Sequence, residues 1–293
     1  MNQKEQSVKL MKFIPVFTTE AGSCLTLANW QEIEVDSLSY SLDALLMKPG
    51  LPFLENLNDL RSYVGWQGTL VLNASLAAEN SEGVYSLRSR YDGSLLQIGS
   101  ESLFSLFLSL QPDKLILPAD LLSYSNFDWQ ALLQTTELFI PASDFSESAA
   151  KLGFAKYFHY DKTNSFSEFI QAIKQNKGTA IYVAGEFESE QLSKLVEAGV
   201  LYLESDKPAR DAMIGRIYSK EPIALLDSEM AHHYERIDNH CACPTCHQQL
   251  TCAYLHHLLE QTPLLAQRFL IQHNVHFYQN RLTSFCKHYE IAH

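Results

Sequence analysis

No stretch of this sequence reaches the ~18 consecutive apolar residues that a membrane-spanning helix requires, and Met1–Lys9 is polar with no apolar run behind it. The absence argues against a helical anchor or a signal peptide, so a cytoplasmic protein without a membrane partner is expected. Internal repeats, low-complexity tracts and Gly/Ser-rich linkers are missing too. Cations are scarce: 22 Lys and Arg stand against 34 Asp and Glu, and the net charge of −12 opposes any nonspecific grip on a polyanion. A nucleic acid partner therefore needs a local basic patch or a helper subunit. No G-x-G-x-x-G follows any apolar run, which removes the main support for a dinucleotide-binding sheet.

What is present is the composition of a globular chain: 293 residues, 46% hydrophobic and 19% charged, enough for two small domains or one large α/β barrel. Short apolar runs recur at Thr69–Leu72, Lys114–Leu117, Glu137–Ile140, Thr179–Val183 and Val200–Leu203, each reading as a fully buried parallel strand. Between them lie helical patterns at Glu101–Leu110, Ser165–Gln175 and Glu188–Ala198, the last closed by Gly199 as a C-cap. So many alternating units predict a (β/α)8 TIM-type barrel. From about Ala231 the composition shifts to His, Cys and Gln, then two helices follow. Thr262-Pro263 places an N-cap residue before a proline at N1, so a helix break falls there, and the second helix is expected to run to about Tyr278. The expected division is a barrel core over 1–235 and a His- and Cys-rich module with C-terminal helices over 236–293.

The cysteines are unevenly spread. Cys24 and Cys286 stand alone, whereas Cys241, Cys243, Cys246 and Cys252 fall within twelve residues, unlike the dispersed set of a disulfide framework. Cys241-Ala-Cys243-Pro-Thr-Cys246 offers three thiolates from one tight loop, and a tetrahedral site needs a fourth donor. His273 is a candidate on the second helix; Cys252, His256 and His257 are nearer in sequence. Four protein ligands leave no open position, so such a zinc serves folding and does not activate water.

At this point the residues carry a family resemblance. Cys241-x-Cys243-x-x-Cys246, Ala253-Tyr-Leu-His-His257, His273-Asn274 and Phe277-Tyr278 resemble the zinc module of the tRNA-guanine transglycosylases, or queuine tRNA-ribosyltransferases, which exchange guanine for a 7-deazaguanine in tRNA. Further segments follow in the family's order: Phe13-Ile-Pro-Val16, Leu45-Leu-Met-Lys-Pro-Gly50, Asp59-Leu-Arg61 with Trp66-Gln-Gly68, Arg88-Ser-x-x-Asp92-Gly-Ser94, and Pro208, Arg210, Ala212 and Gly215 on its P-T-R-N-A-R-N-G stretch. The resemblance implies a zinc-bearing TIM barrel with one structural Zn2+ on Cys241, Cys243, Cys246 and His273. It also implies substrate-binding roles for Asp120, Arg88, Asp92 and Arg210, Asp120 matching the family's base-recognition carboxylate. At a strand end, Asp120 equally suits a helix N-cap.

Departures from the pattern fall on the reaction centre. Where the family carries the Asp of D-S-G-G, this chain reads Leu72-Asn73-Ala74-Ser75, and an asparagine is no base at neutral pH. Glu204 stands at the nucleophile's position; a carboxylate nucleophile remains chemically possible, yet the extra methylene moves its oxygens enough to cost on the order of 10²-fold. No counterpart of the G-G-L-A-V-G loop is found, and the length lacking relative to the family falls between about Asp144 and Lys177. The resemblance thus points to an accessory, catalytically impaired subunit that pairs with itself or with a catalytic transglycosylase and meets tRNA. The other reading is an active base-exchange enzyme or glycosidase using Glu204.

Overall fold

The computed structural model describes residues 10–124, 126–176 and 178–292. Its strands are β1 (Lys12–Ile14), β2 (Ser37–Ser41), β3 (Thr69–Asn73), β4 (Val84–Arg88), β5 (Leu95–Gly99), β6 (Lys114–Ile116), β7 (Glu137–Pro141), β8 (Ala155–Tyr160), β9 (Ile181–Gly185), β10 (Tyr202–Glu204), β11 (Arg216–Ile217) and β12 (Ile223–Ala224). Eight of them share one sheet in the order β1-β10-β9-β8-β7-β6-β3-β2. With the antiparallel pairs β4–β5 and β11–β12 set aside, each strand from β2 to β10 neighbours the next in chain order, β1 lies beside β10, and the registers of β2–β3, β3–β6, β6–β7, β7–β8 and β9–β10 are parallel. Just past β1, Val16 bridges Ser39 of β2 in parallel, bringing the order back to its start. This winding, with helices between the strands, is the (β/α)8 barrel expected from the apolar runs.

The runs behave as parallel strands because they are buried on both faces: Leu70–Leu72, Leu115–Leu117, Leu138–Ile140 and Ile181–Val183 are all shut off from water. In the eight-stranded sheet, β2 and β8 are not marked by apolar runs because polar residues interrupt them. Ser37 and Ser39 lie buried in β2, and Lys156 is buried in β8 with its ammonium 4.4 Å from the Phe145 ring. The second C-terminal helix spans Pro263–Ala292, well beyond its expected end near Tyr278. Leu282 and Cys286 continue the buried stripe of Ile271, Val275 and Tyr278 at intervals of three or four residues, a repeat hidden among the polar residues that follow Tyr278.

The chain clusters into two compact units, one of Met1–Phe13, Cys24–Glu34 and Tyr160–His293, the other of Ile14–Ser23 and Val35–His159. In the second of these, Arg61 fixes the approach to β3. Its guanidinium donates to the carbonyls of Trp66 (3.1 Å) and Gly68 (2.7 Å) and pairs with Asp113 (2.5 Å), which also accepts from the Leu70 amide (2.6 Å). Trp66 is buried beside this knot and donates its indole N–H to the Thr69 carbonyl at 3.1 Å. Arg61→Ala strands two carbonyls and a carboxylate, so a loss of about 2 kcal/mol in urea unfolding is expected. An unchanged midpoint would show that water replaces the guanidinium at no cost.

Candidate metal centre and strand-end residues

The metal loop is built locally. Cys243 is the N-cap of the turn Pro244–His247, with Pro244 at its first position, and its sulfur accepts the Cys246 amide at 3.3 Å. Thr245 ties the turn to the long helix by donating its hydroxyl to the Phe269 carbonyl at 2.6 Å. One helical turn further along, His273 is wholly buried and points Nδ1 at three sulfurs, 3.7 Å from Cys241, 3.5 Å from Cys243 and 3.3 Å from Cys246. All four donor atoms lie within 4.8 Å of one another.

These distances fit a metal. Zn–S bonds of ~2.3 Å and a Zn–N bond of ~2.05 Å at tetrahedral angles put sulfur and nitrogen about 3.6 Å apart, in the middle of the three distances found. The histidine is also correctly oriented: with Nε2 donating to the Tyr218 carbonyl at 2.7 Å, Nδ1 presents its lone pair to the sulfurs. Electrostatics point the same way. Hydrogen bonds from Cys243 and Cys246 pull the Cys241 thiol far down, while Cys246, in contact with the same sulfurs, is pushed far up. Several thiolates cannot share so small a space without a cation between them. The donor set is therefore compatible with one structural zinc ion, and its four ligands leave no open position for chemistry.

The nearer rivals have other places. Cys252 is buried at the start of the helix Cys252–Gln261, where burial raises its thiol pKa, and it lies outside the donor cluster. His256 is buried with Nδ1 2.8 Å from the Leu225 carbonyl, and His257 is exposed.

The remaining sequence candidates sit at strand ends or turns. Glu204 closes β10 and is 6% exposed; the Tyr182 hydroxyl of the neighbouring β9 donates to its Oε2 at 2.6 Å. Asn73 ends β3, and its Oδ1 accepts from both the amide (3.1 Å) and the hydroxyl (2.7 Å) of Ser75. Asp120 is exposed with left-handed backbone at φ 69° and heads a short turn over Leu121–Ser123 without any side-chain capping bond. Arg88 and Asp92 belong to the tip of the β4–β5 hairpin. Asp92 accepts from the amide and hydroxyl of Ser94, which with Ser89 bring its pKa down to about 2, and Arg88 donates to the Gly93 carbonyl at 2.9 Å. Arg210 lies on the helix Lys207–Met213 and pairs with Glu186 at 2.6 Å.

Three side chains in the same unit as the zinc ligands were not singled out from the sequence: Lys207, buried against Asp211 at 2.9 Å; Tyr182; and Glu188, 3.1 Å from the Lys207 ammonium. The i,i+4 spacing of Lys207 and Asp211 was a visible signal for the first.

Comparison with known proteins follows this geometry. A family model described as queuine tRNA-ribosyltransferase matches residues 155–287, a span holding Glu204, Arg210 and all four zinc donors. Among curated relatives, the queuine tRNA-ribosyltransferase of Clostridium kluyveri is 29% identical over 123 residues, covering 42% of this chain and 32% of that protein. Its counterpart in Clostridium perfringens is 33% identical over 99 residues, covering 33% and 26%. In Clostridium botulinum the figures are 32% over 123 residues, covering 42% and 32%. The matched part thus spans about a third or less of these relatives. Over residues 155–287, which hold the Cys3His centre, the chain is thus similar to the queuine tRNA-ribosyltransferase family.

Proposed function

We propose that this chain is a tRNA-guanine transglycosylase-like protein of queuosine-type tRNA modification whose own catalysis is impaired, and that it serves as an accessory subunit holding tRNA or a catalytic partner. The observation that carries this reading is the state of Glu204. A nucleophilic carboxylate must reach a substrate carbon with a free oxygen, whereas this one is buried and accepts a short hydrogen bond from Tyr182 that lowers its nucleophilicity. Asn73 adds to the argument, since it has no carboxylate and its carbonyl oxygen is engaged by Ser75. A barrel of 1–235 with a zinc module of 236–293 gives this reading its parts, the module stiffening the segment offered to a partner.

An exchange assay with tRNA and labelled guanine tests the proposal. The protein alone should incorporate no label, and adding it to a catalytic transglycosylase should raise that enzyme's tRNA binding or turnover. A covalent RNA adduct formed by the wild type and abolished by Glu204→Gln would instead establish an active enzyme. For the partner, the surface offered is the region of about 241–279, where Leu264 is 75% exposed and Tyr254 and Leu265 are also exposed. Sedimentation should find a dimer, with itself or with the catalytic enzyme; a strict monomer in both mixtures would remove the accessory role.

A further inference from the structure

Beyond the ends of β8, β9 and β10 lies a cleft of about 510 Å³, formed within one unit and lined by four cations, Lys162, Lys207, Arg210 and Arg216. Two carboxylates on the loop after β9 hold all four. Glu186 presents one oxygen to Arg210 at 2.6 Å and the other to Lys162 at 3.7 Å. Glu188 presents one to Lys207 at 3.1 Å and the other to Arg216 at 3.5 Å. Asp211 adds a third carboxylate, 2.9 Å from Lys207 and 3.8 Å from Arg216.

The loop is set for this arrangement. Phe187, between the two glutamates, is fully buried, stacks on Tyr160 with ring centroids 5.0 Å apart, and its carbonyl accepts the Tyr278 hydroxyl at 3.1 Å. In extended chain, residues on either side of a buried one turn the same way, here toward the cations. Gln191 fixes the far end by accepting the Glu188 amide at 2.8 Å. Glu186 is ionised at neutral pH: burial alone would raise its pKa, but the hydrogen bond and charge of Arg210 bring it below the ordinary value.

Each glutamate therefore does what a phosphate does, bridging two cations through two oxygens, and the pair repeats at a spacing of two residues. We propose that this cleft is a phosphodiester-binding surface held shut by an internal competitor, Glu186 and Glu188 occupying the cation pairs that successive phosphates of a single-stranded nucleic acid would bridge. The biological sense rests on the RNA-facing reading proposed above. The chemistry excludes a lone phosphate, which meets two cations already neutralised, and admits a strand that offers phosphates to both pairs at once. Such a device keeps an acidic chain off general polyanions while leaving four cations in place for a ligand positioned by a partner.

The test is anisotropy of a labelled single-stranded oligouridylate with wild type, Glu186→Gln/Glu188→Gln, and the same variant carrying Arg210→Gln/Arg216→Gln. With both glutamates neutral the cations face Asp211 and, near Arg210, Asp206, so the double variant should bind about tenfold tighter at low salt, with a salt slope steeper by ~0.7 for each further phosphate neutralised. The quadruple variant should fall back to wild type. Glu186→Gln alone, at a half-exposed position, gives an intermediate gain and carries the test if the double variant does not fold. No gain in either, or a gain that survives removal of the arginines, overturns the latch. Guanine exchange by the wild type with a catalytic partner is a separate readout, so the latch and the accessory reading fail independently.

Discussion

A purified, chelator-treated sample should lose one zinc per chain and, with it, the fold of the segment around Cys241–Cys246. The site joins a loop to a helix that are otherwise tied by the Thr245–Phe269 hydrogen bond: Cys241, Cys243 and Cys246 on one side, His273 on the other. In such sites the free energy of binding is also free energy of folding, on the order of 10 kcal/mol at neutral pH, and its removal leaves crowded sulfurs with no cation between them. Cys243→Ser should reproduce the effect without a chelator. That residue is fully buried and supplies a thiolate, while serine keeps an N-cap acceptor for the Cys246 amide, so the substitution removes a metal ligand and leaves the helix start in place. Elemental analysis should find the variant nearly free of zinc and calorimetry should find it melting at least roughly 10 °C lower. Cys252→Ser, outside the donor set, should keep its metal and lose only packing. Full zinc in Cys243→Ser would mean that another donor completes the site.

The metal centre was legible because its chemistry is concentrated: three cysteines in six residues admit few readings, and the family pattern supplied the fourth donor. The barrel was legible for a related reason, since strands buried on both faces must be written almost wholly in apolar residues. Where that rule relaxes, so did the reading. β2 and β8 carry buried Ser37, Ser39 and Lys156, the Ser37 hydroxyl donating to the adjacent Asp36 and the Lys156 ammonium lying over the Phe145 ring, and no apolar run announces either strand. The strand-end residues were harder still. That Glu204 occupies a nucleophile's position could be read from the motif, but its tether to Tyr182, 22 residues away, belongs to the pairing of β9 with β10. Likewise the glutamates that occupy the cation cleft are ordinary loop residues in sequence, and only their four partners make them a set.

Asn274 is the residue that joins the metal helix to the strand-end cleft, and its loss should be the most costly single change outside the zinc ligands. It follows His273 directly and is fully buried. Its Oδ1 accepts the Tyr218 amide at 2.8 Å, while its Nδ2 donates to the carbonyls of Pro208 at 3.1 Å and Arg216 at 2.9 Å. Three backbone groups from the helix Lys207–Met213 and the chain around β11 thereby depend on one side-chain amide. Asn274→Ala leaves all three without it, and at about 1–3 kcal/mol for each stranded group a loss of ~3–5 kcal/mol is expected after partial relaxation. Asn274→Asp should be worse at neutral pH: the acceptor for Tyr218 survives, but an anionic oxygen replaces the donor facing two carbonyls. Stability should therefore fall in the order Asn, Ala, Asp in urea unfolding, and acid should narrow the gap for Asp as its carboxylate takes up a proton and regains a donor. Because His273 still reaches the sulfurs, zinc content of Asn274→Ala should stay near that of the wild type, which separates this loss from failure of the metal site. Lys207 and Arg210 ride on the helix that Asn274 anchors, so the variant should also relax the cation cleft and bind the oligouridylate more strongly than wild type. Wild-type stability in Asn274→Ala would show that the helix is held to β11 by apolar packing and the zinc alone.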